Sequence, residues 1–118
     1  MENKVLIIDD DVELSQELAE ILKLEGYIVE TALNCKDGKA LLEKGDFSIL
    51  ILDYRLPKQS GLDVLRFIKE KKTRLKTFVV TGKPFIEKLL KEEGLNDIVT
   101  SVINKPFRVE NLLSQIKA

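Results

Sequence analysis

Five short apolar runs recur along the chain: Val5 to Ile8, Tyr27 to Val29, Phe47 to Leu52, Phe78 to Val80, and Ile98 to Ile103. Most are rich in β-branched residues, the pattern of strands buried on both faces. Between them the period changes. Val12, Leu14, Leu18, Ile21, Leu22 and Leu24 form one helical stripe opposite Glu13, Gln16, Glu17, Glu20 and Lys23, and Gly26 supplies a stop. Weaker helical patterns cover 35–44, 61–71, 84–93 and 107–117. Ser60-Gly61 predicts the start of the third helix, and Gly94 the end of the fourth.

Strands alternating with helices predict an α/β fold: a doubly wound, five-stranded parallel sheet of the flavodoxin-like (βα)5 type, with helices on both faces. Right-handed crossovers leave few topologies, and strand order 2-1-3-4-5 is the expected one. Residues 1–118 read as one domain without internal repeat or linker. In such a sheet a ligand site forms beyond the carboxyl ends of the strands, near the switch in strand order between strands 1 and 3.

Composition narrows the chemistry available there. The 118 residues are 44% hydrophobic and 33% charged, with 19 Lys+Arg against 20 Asp+Glu, a formal charge of −1. That balance argues against direct nucleic-acid contact by this domain. Residues 69–93 are locally basic, with eight Lys/Arg and four Asp/Glu, and read as a solvated face of helices 3 and 4. The absence of histidine removes imidazole catalysis and the usual transition-metal sites, so only oxygen ligands remain. A single cysteine, Cys35, has no internal disulfide partner and reads as a small core residue at a helix start. No apolar stretch approaches the roughly 20 residues of a membrane span, and residues 1–8 do not form a signal sequence; a cytoplasmic location away from membranes is expected.

The strand ends carry the chemistry. Asp9, Asp10 and Asp11 follow strand 1, Asp53 follows strand 3, Thr81 strand 4 and Lys105 strand 5. Each is ordinary alone: Asp11 as a helix cap, Asp53 as a turn residue before Pro57, Thr81-Gly82 as a strand exit. Their coincidence on one sheet edge is not ordinary. Two carboxylates about 5 Å apart repel by about 3 kcal/mol at an effective dielectric of 20, so the cluster calls for a cation or a raised pKa. With oxygen ligands and no calcium loop, magnesium is the expected ion. The set fits phosphoryl transfer to a carboxylate: Asp53 as nucleophile, Asp9 and Asp10 at the metal, Lys105 and Thr81 on phosphoryl oxygens, and Gly82 leaving room.

In VLIIDDD at 5–11, LILDYRLPKQSG at 50–61, VVTG at 79–82 and NKPF at 104–107, the chain resembles the response-regulator receiver domain of two-component signalling over nearly its whole length. The resemblance implies that Asp53 accepts phosphate from a phosphohistidine on a sensor histidine kinase or phosphotransfer protein. It further implies that Asp9, Asp10, Asp53 and the main-chain carbonyl of Arg55 hold Mg2+, that the Thr81 hydroxyl moves toward the phosphate, and that Lys105 pairs with it. It leaves room for a homodimer. Two features depart from the family pattern. The position three before the lysine, usually an aromatic that swings inward, is Val102, and the passage from Gly94 to Lys105 is long.

Three other readings were open. A haloacid-dehalogenase-type enzyme needs a second Asp two residues after the nucleophile, where this chain has Arg55. A flavin binder needs a phosphate loop after strand 1, where Asp9 to Asp11 would repel it. A receiver fold used as a constitutive docking module, not phosphorylated in normal use, is the remaining alternative. Val102 favours it, and the intact Asp53, Thr81 and Lys105 oppose it.

Overall fold

A computed structural model describes residues 3–56, 58 and 60–118, so Pro57 and Gln59 of the 50–61 motif lie outside the described residues. The elements alternate without exception: β1 Lys4–Ile8, α1 Val12–Leu24, β2 Ile28–Ala32, α2 Cys35–Lys44, β3 Ile49–Asp53, α3 Gly61–Lys71, β4 Lys76–Thr81, α4 Ile86–Glu92, β5 Ser101–Asn104 and α5 Val109–Lys117. All four strand pairings are parallel, in the order β2-β1-β3-β4-β5. This is the predicted (βα)5 topology.

Side-chain alternation splits the core into two layers. Leu6, Ile8, Leu50 and Leu52 face one way and meet Val64, Leu65 and Ile68 of α3. Val5, Ile7, Ile49 and Ile51 face the other and meet Leu18 and Leu22 of α1 and Leu112 and Ile116 of α5. The central strands are therefore apolar at nearly every position, which is why their sequence reads as continuous runs. Truncating a fully buried side chain such as Leu50 or Leu65 to Ala is expected to destabilise the fold by about 2–5 kcal/mol in urea unfolding.

Several boundaries differ from the sequence pattern. β2 is an edge strand with Ile28 and Thr31 exposed, so it is not buried on both faces, and it extends to Ala32. β5 begins at Ser101, since Asn96–Ile98 form a 3-10 turn that takes up the long passage after Gly94. The apolar Ile98 and Val99 pack on the core from this connection without joining the sheet. Helix α4 starts at Ile86 and α5 at Val109, later than the apolar pattern suggests. Phe107 packs ahead of α5 against the α1/α5 layer.

Local chemistry fixes the loops that aim the strand ends. Asp11 caps α1 by accepting from the Leu14 N–H at 3.1 Å, and Ser60 caps α3 by accepting from the Leu62 N–H at 3.2 Å. Gly26 after α1 has φ +99°, a conformation that favours glycine. Cys35 is buried at the start of α2, and burial pushes its thiol pKa up.

Candidate functional site

The carboxyl ends of β1, β3, β4 and β5 open onto a cleft of about 860 Å³ lined by Asp9, Asp10, Asp53, Arg55, Thr81 and Lys105, among others. Parallel register puts them there. Ile8 at the end of β1 pairs with Leu52, one residue before Asp53; Asp53 pairs with Val80, one residue before Thr81; Thr81 pairs with Asn104, one residue before Lys105. Four distant stretches of chain thus deliver their polar residues at one level. Asp9, Asp10 and Asp53 each present a carboxylate oxygen within 4.8 Å of the others.

Each side chain is held by its neighbours. Asp53, only 6% exposed, accepts the Arg55 N–H on Oδ1 at 3.1 Å and the Lys105 ammonium on Oδ2 at 3.3 Å. Asp9, 7% exposed, accepts the Asp11 N–H on Oδ1 at 3.0 Å, while its main-chain carbonyl takes the Ser15 hydroxyl at 3.4 Å. Asp10 is exposed at the mouth. Thr81 is buried, and its hydroxyl oxygen accepts the Lys83 N–H at 2.9 Å, so its proton is available to donate elsewhere. The loop after β3 is closed by a bridge between Arg55 and Ser60.

The electrostatics are those of a site waiting for positive charge. Burial, reinforced by the nearby Asp53 carboxylate, raises the Asp9 pKa to about 6 against the opposing hydrogen bond from Asp11. One ammonium group cannot balance three clustered acids. Asp9 therefore competes for a proton or for a hard cation, and a donor set of three carboxylates suits Mg2+. Ion binding must displace the Asp9 proton at low pH. Mg2+ affinity, measured by calorimetry, is expected to be nearly flat above pH 6 and to fall about tenfold per pH unit below it.

Two glycines near the site play different parts. A Cβ at Gly61 would lie 3.0 Å from the Tyr54 Cα and 3.1 Å from the Asp53 carbonyl oxygen, so α3 starts hard against the end of the strand that carries Asp53. Gly61→Ala should destabilise the fold by about 1–3 kcal/mol in urea unfolding, because those neighbours are backbone and cannot rotate aside. A Cβ at Gly82 would meet only the Lys105 Cβ at 3.9 Å, an ordinary contact, so Ala fits there as well.

Sequence reasoning placed Asp9, Asp10, Asp53, Arg55, Thr81 and Lys105 on this edge, and all six line the cleft. It missed Tyr54, Lys58 and Lys83 on the walls, where the Lys83 ammonium lies 5.7 Å from the Tyr54 ring centroid. Tyr54 adjoins Asp53 and Lys83 lies two residues after Thr81, whereas Lys58 belongs to the loop closed by the Arg55–Ser60 bridge. Val102 pairs with Val79 and packs on the core layer of α3.

The profile of the family described as "response regulator receiver domain" matches residues 5–117. The transcriptional regulatory protein YkoG of Bacillus subtilis is 32% identical over 114 residues, 97% of this chain and 49% of its own length. BasR of Escherichia coli is 32% identical over 115 residues, 98% of this chain and 51% of its own length. The chain thus spans about half the length of the curated relatives it matches. Among solved structures, a CheY-like receiver domain protein of Methanospirillum hungatei superimposes with TM-score 0.86 at 31% identity, covering 99% of this chain and 92% of that one. The response regulator TrrA of Thermotoga maritima, solved with Mg2+ and BeF, gives TM-score 0.82 at 26% identity over 98% and 96% of the two chains.

Proposed function

The chain belongs to the response-regulator receiver domain family, and on that premise we propose that residues 1–118 act as a phosphoacceptor module in which Asp53 takes a phosphoryl group from the phosphohistidine of a sensor histidine kinase or phosphotransfer protein. The observation that carries this reading is the convergence of three carboxylates within 4.8 Å beside the Lys105 ammonium. The solved complex of TrrA with Mg2+ and BeF supports it by likeness.

The chemistry follows from the positions. One carboxylate oxygen of Asp53 forms a bond to phosphorus as the phosphorus–nitrogen bond of the donor breaks, and the departing imidazole keeps the electron pair. The Arg55 N–H and the Lys105 ammonium hold the Asp53 carboxylate at the floor of the cleft and fix the direction of attack. Mg2+, held by Asp9, Asp10, Asp53 and the Arg55 carbonyl, would supply neutralising charge for the transferring group. Lys105 then has a phosphoryl oxygen to pair with, and the Thr81 hydroxyl, turned from the Lys83 N–H, donates to another. No side chain acts on a separate substrate; the domain catalyses only its own phosphorylation and dephosphorylation.

Signalling follows as a population shift. The phosphorylated site binds one arrangement of the β4–α4 loop better than the other, and moving from 1:99 to 99:1 takes about 5.5 kcal/mol of differential binding. A few charge-assisted hydrogen bonds are of that order. The switched face would then engage a downstream partner or a second copy of the chain. Among the described residues no helix is long and apolar enough to cross a membrane. Amide resonances of Thr81, Lys83 and Lys105 should shift when Mg2+ and acetyl phosphate are added together. Constitutive docking without phosphorylation predicts no such shift.

A further inference from the structure

Position 102, where receiver domains usually carry the moving aromatic, is Val in this chain, and its small side chain borders a notch of about 440 Å³ between α4 and β5. Leu90, Val99 and Val102 supply apolar walls, with Glu87 and Lys88 of the first turn of α4 at the rim. Two residues before Glu87 stands Phe85, which is 82% exposed and has φ +64°. Both properties are unfavourable. A phenylalanine ring in water forgoes its burial, and the left-handed conformation crowds the Cβ of any residue but glycine.

The loop that holds Phe85 in this state is tied to the site. The Lys83 N–H is bonded to the Thr81 hydroxyl, the group that phosphoryl binding would draw away. The amino end of α4 has no side-chain cap. Its carboxyl end is pinned from α3: Arg66 pairs with Glu93 at 2.6 Å, and Lys69 reaches the Gly94 carbonyl and, at 3.3 Å, Asp97. Release at Thr81 therefore frees one end of the helix while the other stays in place.

We propose that Phe85 is the aromatic member of this chain's switch: when Thr81 turns to a bound phosphoryl group, residue 85 leaves the left-handed conformation and its ring settles into the notch beside Val102. This inference rests on the phosphoacceptor reading of Asp53. In the resting state the strain at residue 85 and the exposed ring both raise the energy, so both favour the switched state. They should strengthen binding of any ligand that selects it.

Beryllofluoride affinity in the presence of Mg2+, followed by NMR titration, tests the proposal in three chains. Phe85→Ala keeps the strained backbone and removes the ring, and should weaken binding about tenfold relative to wild type. Phe85→Gly also removes the strain of the resting state, and should weaken it about fivefold further. In the saturated wild-type chain the Phe85 ring should show nuclear Overhauser contacts to the Val102 methyl groups. Any other order of affinities, or a saturated ring with no contact to Val102, overturns the proposal. A wild-type chain that takes up no beryllofluoride removes the phosphoacceptor reading itself, and this inference with it.

Discussion

Asp53→Asn should cut acid-labile phosphoryl uptake from acetyl phosphate by roughly a thousandfold or more, to background in intact-mass spectra, because the amide that replaces the carboxylate has no anionic oxygen to attack phosphorus. The fold should survive. Asn keeps one oxygen, which can accept the Arg55 N–H that now meets Oδ1 at 3.1 Å, while its amide nitrogen replaces the Oδ2 that takes the Lys105 ammonium at 3.3 Å, and the partly exposed lysine can turn to solvent. The lost ion pair is offset by relief of repulsion with Asp9, so stability should change by no more than about 1 kcal/mol. A small donor such as acetyl phosphate is the right reagent, since it separates the chemistry of this chain from recognition by a kinase. Unchanged labelling in the variant would move the acceptor elsewhere.

Asp9→Asn should have two opposed effects. The native carboxyl has a pKa of about 6 against the ordinary aspartate value of 3.8, so the unfolded chain gives up this proton first as pH rises. Stability linked to Asp9 is thus fully present below pH 3.8 and is lost as pH climbs through about 6. At neutral pH without divalent ions the native state carries a buried charge that it holds poorly. Replacing that charge with Asn, which still accepts from the Asp11 N–H, should raise stability by about 1–3 kcal/mol in metal-free buffer. The same change should weaken Mg2+ binding by about tenfold or more, since a hard cation loses an anionic ligand. With saturating Mg2+ the stability order should therefore narrow or reverse. A variant less stable than wild type in metal-free buffer would mean that Asp9 stabilises the fold in its own right.

Much of this was legible along the chain because the central strands are buried on both faces. Leu6, Ile8, Leu50 and Leu52 serve one layer while Val5, Ile7, Ile49 and Ile51 serve the other, so β1 and β3 had to read as unbroken apolar runs. The site was legible for a related reason: a parallel sheet brings its carboxyl ends to one level, so Asp9, Asp53, Thr81 and Lys105 could be gathered by position alone. What escaped the pattern has local causes. Ile98 and Val99 are apolar but pack from a 3-10 turn, which periodicity over so few residues cannot tell from a strand. The run Tyr27 to Val29 marked the place of β2, but an edge strand that exposes Ile28 and Thr31 and ends at Ala32 has neither the two-faced burial nor the length that the apolar run suggests. Phe85 is apolar in sequence yet lies in water, and its left-handed backbone is invisible without coordinates.

The most direct test of the whole account is beryllofluoride binding followed by amide NMR, with and without Mg2+. Saturable uptake only when Mg2+ is present is expected, with the largest shifts at Asp9 to Asp11, Asp53 to Arg55, Thr81 to Lys83 and Lys105. Uptake indifferent to Mg2+, or shifts scattered away from the carboxyl ends of β1, β3, β4 and β5, would contradict it.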